Sequence, residues 1–158
     1  MSRFGFLTAL TIALAATPAF AHGPDEQEHD RGAAFGEPGD ANAPARIVEV
    51  SIREVDGKML FTPDSVTVTK GEQIRFHIKN EGELEHEFVL GTAEEIEEHA
   101  KLMREMPDMR HDDPNARRLA PKESGDILWK FTKAGEFDFA CLIPGHLEAG
   151  MKGKIVVK

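Results

Sequence analysis

From Arg46 onward the apolar residues of this chain recur at every second position, in short runs separated by glycine-containing turns. Val48, Val50 and Ile52 alternate with Glu49, Ser51 and Arg53, and Ile74, Phe76 and Ile78 alternate with Arg75, His77 and Lys79. A period of two sends successive side chains to opposite faces, so each run reads as a strand with one face buried. His77 falls on the outward phase and is expected at the surface. Further short strands are expected over Val66–Thr69, Glu87–Leu90, Ile127–Thr132, Phe137–Ala140 and Lys154–Val157, with Phe61–Asp64 as a turn. Lys70-Gly71-Glu72, Asn80-Glu81-Gly82 and Lys133-Ala134-Gly135 supply further turns. Many short strands joined in this way specify an all-β chain, an antiparallel sandwich or barrel.

One stretch breaks the pattern. Thr92-Ala93-Glu94-Glu95 has the form of a helix-initiating capping box, and strong helix formers follow it. Ile96, Ala100 and Met103 share one face of that helix, Pro107 ends it, and Asp112-Asp113-Pro114 continues as acidic loop. Residues 92–123 therefore read as a helix-plus-loop insertion laid across the sandwich.

The amino-terminal part has a different purpose. Arg3, the apolar run from Phe4 to Ala16 and Ala19-Phe20-Ala21 form a secretory signal peptide, cleaved after Ala21. The run is too short for a stable membrane span. The expected compartment is the periplasm. Residues 22–44, rich in glycine, proline and acid, read as a flexible tail that carries His22 and His29, a candidate copper chelate at the mature terminus. The domain proper is then 45–158. A net charge of -9 argues against nucleic acid and anionic lipid as partners.

Export makes the single cysteine conspicuous. A lone thiol cannot close an internal disulfide, and in an oxidising compartment it invites mispairing unless it is buried or liganded. Cys141 opens the run Ala140-Cys141-Leu142-Ile143-Pro144-Gly145-His146-Leu147-Glu148-Ala149-Gly150-Met151, which has the spacing C-x4-H-x4-M. His86 begins an earlier strand. Two imidazoles, a thiolate and a distant thioether are the donor set of a trigonal copper site with a weak axial methionine. Zinc would accept the same histidines and cysteine but has no use for the methionine. Taken singly, each residue reads as ordinary core or surface; together and in this order they read as metal ligands.

The sequence resembles the cupredoxins, the plastocyanin- and azurin-like blue copper proteins. The likeness is carried by F-T-P-D-S-V-T-V-T-K-G-E, the F-H-I-K-N strand end, H-E-F-V-L-G, K-A-G-E-F-D-F-A-C and P-G-H-x4-G-M. It implies a Greek-key β-sandwich and one type 1 copper, with His86, Cys141 and His146 as equatorial ligands and Met151 as the axial one. It also implies that Asn80 ties the two ligand loops together near the cysteine. His146 would be the edge through which an electron passes, with Leu142, Ile143, Pro144 and Leu147 as an apolar patch. Glu83, Glu85 and Glu148 would steer a basic partner.

Two functions follow. The first is one-electron transfer through Cu(II)/Cu(I), with a periplasmic redox protein as partner. The alternative is copper resistance: binding, buffering or handing copper to a donor or acceptor protein, using an additional Cu(I) site of His99, Met103, Met106, Met109 and His111. For Met103 the competing reading is simple packing of the helix onto the sandwich. An enzyme is not expected, because the His-Cys-His relay and H-x-H pairs of multicopper oxidases are missing.

Overall fold

The computed structural model describes residues 33–107, 110 and 113–158. The expected signal peptide, His22, His29, Met109 and His111 lie outside the described residues. The elements are β1 (Gly36–Pro38), β2 (Arg46–Val55), β3 (Lys58–Thr62), β4 (Ser65–Val68), β5 (Gln73–Asn80), β6 (His86–Gly91), α1 (Ala93–Glu105), β7 (Ala116–Leu119), β8 (Ser124–Phe131), β9 (Gly135–Ala140) and β10 (Lys152–Val157). They form two five-stranded sheets, in the orders β1-β8-β5-β2-β3 and β4-β10-β9-β6-β7. The sheets are mixed, because β2 pairs with β5 and β4 with β10 in parallel. The chain leaves the first sheet after β3 and enters the second at β4, so those partners meet only after a crossover. Among the described residues, no helix is long and apolar enough to cross a membrane.

The alternation read from sequence is the packing observed. Val48, Val50, Ile52, Ile74, Phe76 and Ile78 are buried in one core with Phe88, Phe139 and Ile155, between the two sheets. His77 lies on the outer face, where its Nδ1 is 2.7 Å from Oδ1 of Asp126, its neighbour on β8.

The structure differs from the sequence reading in three places. Residues 33–44 are not tail: β1 adds to the edge of β8, and Phe35 is completely buried, stacked on Trp129 at 5.1 Å between ring centroids. One aromatic ring in a glycine- and acid-rich stretch has no period to announce it. Nor is the 92–123 insertion only helix and loop. Its Ala116-Arg117-Arg118-Leu119 run forms β7 on the edge of β6, where charged side chains are tolerated. Finally, Phe61 and Thr62, expected in a turn, close strand β3.

The helix itself follows expectation. Thr92 accepts from the Glu95 backbone N–H, and Glu95 accepts in return from that of Thr92. Ile96, Ala100 and Met103 are buried against Val89, Ala140 and Leu142, on the outer face of the β6–β9 pair. Strand β6 is thus covered on both sides, with His86, Phe88 and Leu90 on the phase opposite Val89.

Candidate metal centre

Strands β6 and β9 are antiparallel neighbours with Ala140 opposite Val89, so the chain leaving β9 runs on alongside the first half of β6. That places His86, the first residue of β6, near Cys141, the residue after β9. The loop 141–151 then folds back on itself. Its turns are closed by N–H donation from His146 to Ile143, Ala149 to Gly145 and Gly150 to Leu147. Gly145 has φ of +91°, a left-handed conformation that a side chain would strain. The loop ends with Met151 opposite Cys141, whose N–H donates to the Met151 carbonyl at 3.2 Å. Both residues are fully buried.

Three donors converge in this pocket. Cys141 Sγ is 3.3 Å from His146 Nδ1 and 4.0 Å from His86 Nδ1, and the three ligand atoms lie within 4.8 Å of one another. Imidazole and thiolate donors sit about 2.0 and 2.3 Å from a small transition-metal ion, so three in a plane stand about 3.5–3.8 Å apart. The observed separations bracket that value, and one ion fits among the donors with little movement. Among the described residues, this is the cluster of histidine, cysteine and acidic side chains able to hold a metal.

Charge in the pocket suits a metal. Burial pushes the Cys141 thiol up to about 12, although the Glu87 backbone N–H donates to Sγ at 3.3 Å and works the other way. Burial, and then the nearby His86, hold the His146 pKa below its usual value, which keeps a lone pair available. The thiolate a metal requires is thus absent from the metal-free pocket at neutral pH, and binding an ion has to displace the proton.

The model of copper binding proteins of the plastocyanin/azurin family matches residues 48–158. The chain belongs to that family. This cupredoxin is 53% identical over 130 residues to the copper-resistant cuproprotein CopI of Rubrivivax gelatinosus, covering 82% of this chain and 77% of that one. It is 38% identical over 156 residues to CopI of Pseudomonas aeruginosa, covering 80% and 84%. Auracyanin B shares the fold with a TM-score of 0.63 at 24% identity, over 80% of this chain and 96% of its own. A multicopper oxidase from Campylobacter jejuni matches with a TM-score of 0.55 at 14% identity, over only 31% of its length. Those last two likenesses speak to fold alone. The protein is a copper-binding cupredoxin, and the soft, buried donor set fits that metal.

Other expectations about the cupredoxin site are corrected. Asn80 is fully buried, but its Nδ2 donates to the carbonyls of Leu84, Leu119 and Ala120, and its Oδ1 accepts from the Gly82 N–H. It ties the loop before His86 to the end of β7, not to the cysteine loop. Leu142 is buried under α1 instead of forming surface patch, while Pro144 is exposed and His146 half-exposed. Glu83, Glu85 and Glu148 are each paired, with Lys122, Arg118 and Arg104 respectively.

Of the candidate second site, His99, Met103 and Met106 fall among the described residues. Met103 is 1% exposed and packs α1 onto the sheet, because it continues the Ile96–Ala100 stripe. Met106 is the exposed C-cap residue, and His99 borders a cavity of about 210 Å3 with Ala33, Val89 and Asn115.

One residue beside the centre escaped the sequence reading. Glu54, near the end of β2, places Oε1 2.7 Å from Nε2 of His86. It also accepts the N–H groups of Glu83 at 2.8 Å and Leu84 at 3.2 Å. Burial raises its pKa, but the His86 contact and the two backbone donors outweigh that and bring it down to about 2. In sequence it is one of several acids on an alternating strand, with nothing local to distinguish it.

Proposed function

We propose that this cupredoxin is an exported, periplasmic copper-resistance protein. In this reading His86, Cys141 and His146 would hold one type 1 copper, with Met151 as a further, weaker donor. The observation that carries the ligand assignment is the convergence of the two imidazole Nδ1 atoms on Cys141 Sγ, at 4.0 and 3.3 Å. Resistance is supported by the relatives named copper-resistant cuproproteins at 53% and 38% identity. Copper held there would supply one-electron chemistry between Cu(II) and Cu(I). His86 and His146 supply lone pairs, Cys141 gives up its proton to become a thiolate, and the buried walls keep water away.

Electron transfer to a protein partner is the second reading, favoured by the half-exposed His146 next to an otherwise buried centre. Two experiments separate the outcomes. Copper titration of the purified protein gives an intense visible band and a type 1 paramagnetic signal, both lost in Cys141→Ser; a colourless complex sinks the ligand assignment. A strain lacking the gene becomes copper-sensitive, and wild type but not Cys141→Ser rescues it. Normal copper tolerance together with a respiratory defect favours the electron-carrier reading instead.

A further inference from the structure

Resting on the type 1 assignment above, we propose that Glu54 is a positioning residue that sets the redox poise of the centre. Its carboxylate holds His86 in the tautomer that ligates through Nδ1, and its charge biases bound copper towards Cu(II).

The geometry supplies the argument. His86 is completely buried, so its second ring nitrogen has no access to bulk water, and Glu54 Oε1 stands 2.7 Å from it. An ionised carboxylate only accepts, hence Nε2 carries the proton and Nδ1 presents its lone pair towards Cys141. Glu54 is in turn held in place. The N–H groups of Glu83 and Leu84 point at the two carboxylate oxygens. Gly82 lets the carboxylate come close: a Cβ there would lie 2.3 Å from Oε1 and 2.4 Å from Oε2. Asn80 fixes that glycine through its N–H at 3.0 Å. A buried imidazole, a carboxylate on its far nitrogen and a loop shaped around that carboxylate are more than a loop tether requires.

Such a partner raises the basicity of the ligating nitrogen and places negative charge one residue from the metal. Both effects favour the more highly charged ion. Partners of this kind change metal affinity about 10–100-fold when removed. Here the loss should fall mainly on Cu(II), and each tenfold change in the Cu(II):Cu(I) affinity ratio moves a one-electron potential by about 59 mV.

The test measures the reduction potential and the separate Cu(II) and Cu(I) affinities of the full mature chain, loaded with copper alone. Glu54→Gln keeps an acceptor oxygen for the imidazole but removes the charge. It is expected to weaken Cu(II) binding about tenfold or more, leave Cu(I) binding nearly unchanged, and raise the potential. Gly82→Ala, which displaces the carboxylate while leaving Glu54 in the chain, shifts the potential in the same direction. Independently of any variant, the imidazole 1H–15N spectrum of the Cu(I) protein shows a slowly exchanging His86 Nε2–H. Wild-type potential and affinity ratio in both variants, with only stability lowered, would overturn the proposal, as would an unprotonated Nε2. If wild type itself gives no type 1 spectrum with copper, the ligand assignment fails and this proposal with it.

Discussion

Arg104, in the last turn of α1, donates from Nη1 to Glu148 Oε1 across 3.0 Å, joining the inserted helix to the loop between Cys141 and Met151. Glu148 also accepts the Gly145 N–H at 3.0 Å, so the same carboxylate closes a turn of the loop. Beneath this contact Met103 packs with Leu142, and Leu147 lies against them. The insertion therefore braces the loop that carries three of the four candidate ligands, Cys141, His146 and Met151.

The brace is mainly apolar. Both partners of the Arg104–Glu148 pair are about half exposed, so Arg104→Ala should cost less than about 1 kcal/mol. Met103→Ala should cost about 2–5 kcal/mol, since it empties a fully buried site. Urea denaturation of the two variants checks this ranking. The same Met103→Ala protein should also show a broadened type 1 spectrum, as the loop loses its support.

The buried, metal-free Cys141 thiol is expected to be inert at ordinary pH. With its pKa pushed up to about 12 and its side chain buried, it should resist iodoacetamide at pH 8 in the folded protein and react quickly in urea. Mass spectrometry of the alkylated chain reads the difference. Rapid modification of the native protein would mean that the pocket opens freely.

Glu54 gives acid stability a defined window. Its folded pKa of about 2 lies below the ordinary 4.5, so the unfolded chain binds the proton first as pH falls. The stability it adds is complete above pH 4.5 and fades as pH drops towards about 2. Glu54→Gln lacks that contribution, and denaturation curves of the two metal-free proteins should converge over this range. A gap as wide near pH 2 as at neutral pH would contradict it.

Phe35 is the anchor of β1. It is fully buried and contacts the rings of Trp129, Phe131 and Phe137 at 5.1, 6.3 and 5.4 Å. Phe35→Ala should cost about 3–5 kcal/mol. Calorimetry would detect this as a lowered melting temperature; an unchanged one would return residues 33–44 to the status of a tail.

What the sequence determined by itself was whatever is written in local spacing. Alternation named the inner faces of β2 and β5, Thr92 and Glu95 announced the helix start, and the motif together with the earlier histidine selected His86, Cys141 and His146, whose ligand atoms the fold brings within 4.8 Å. Period and capping depend on residues a few positions apart, and a single chain displays them. The tertiary structure decided the partners: Glu54 behind His86, Phe35 under Trp129, Arg104 on Glu148, and Met103 against Leu142. Each of these pairs brings together separate elements. A hydrophobic or charge pattern says which face a side chain turns, and only the assembled sheets say what stands opposite it.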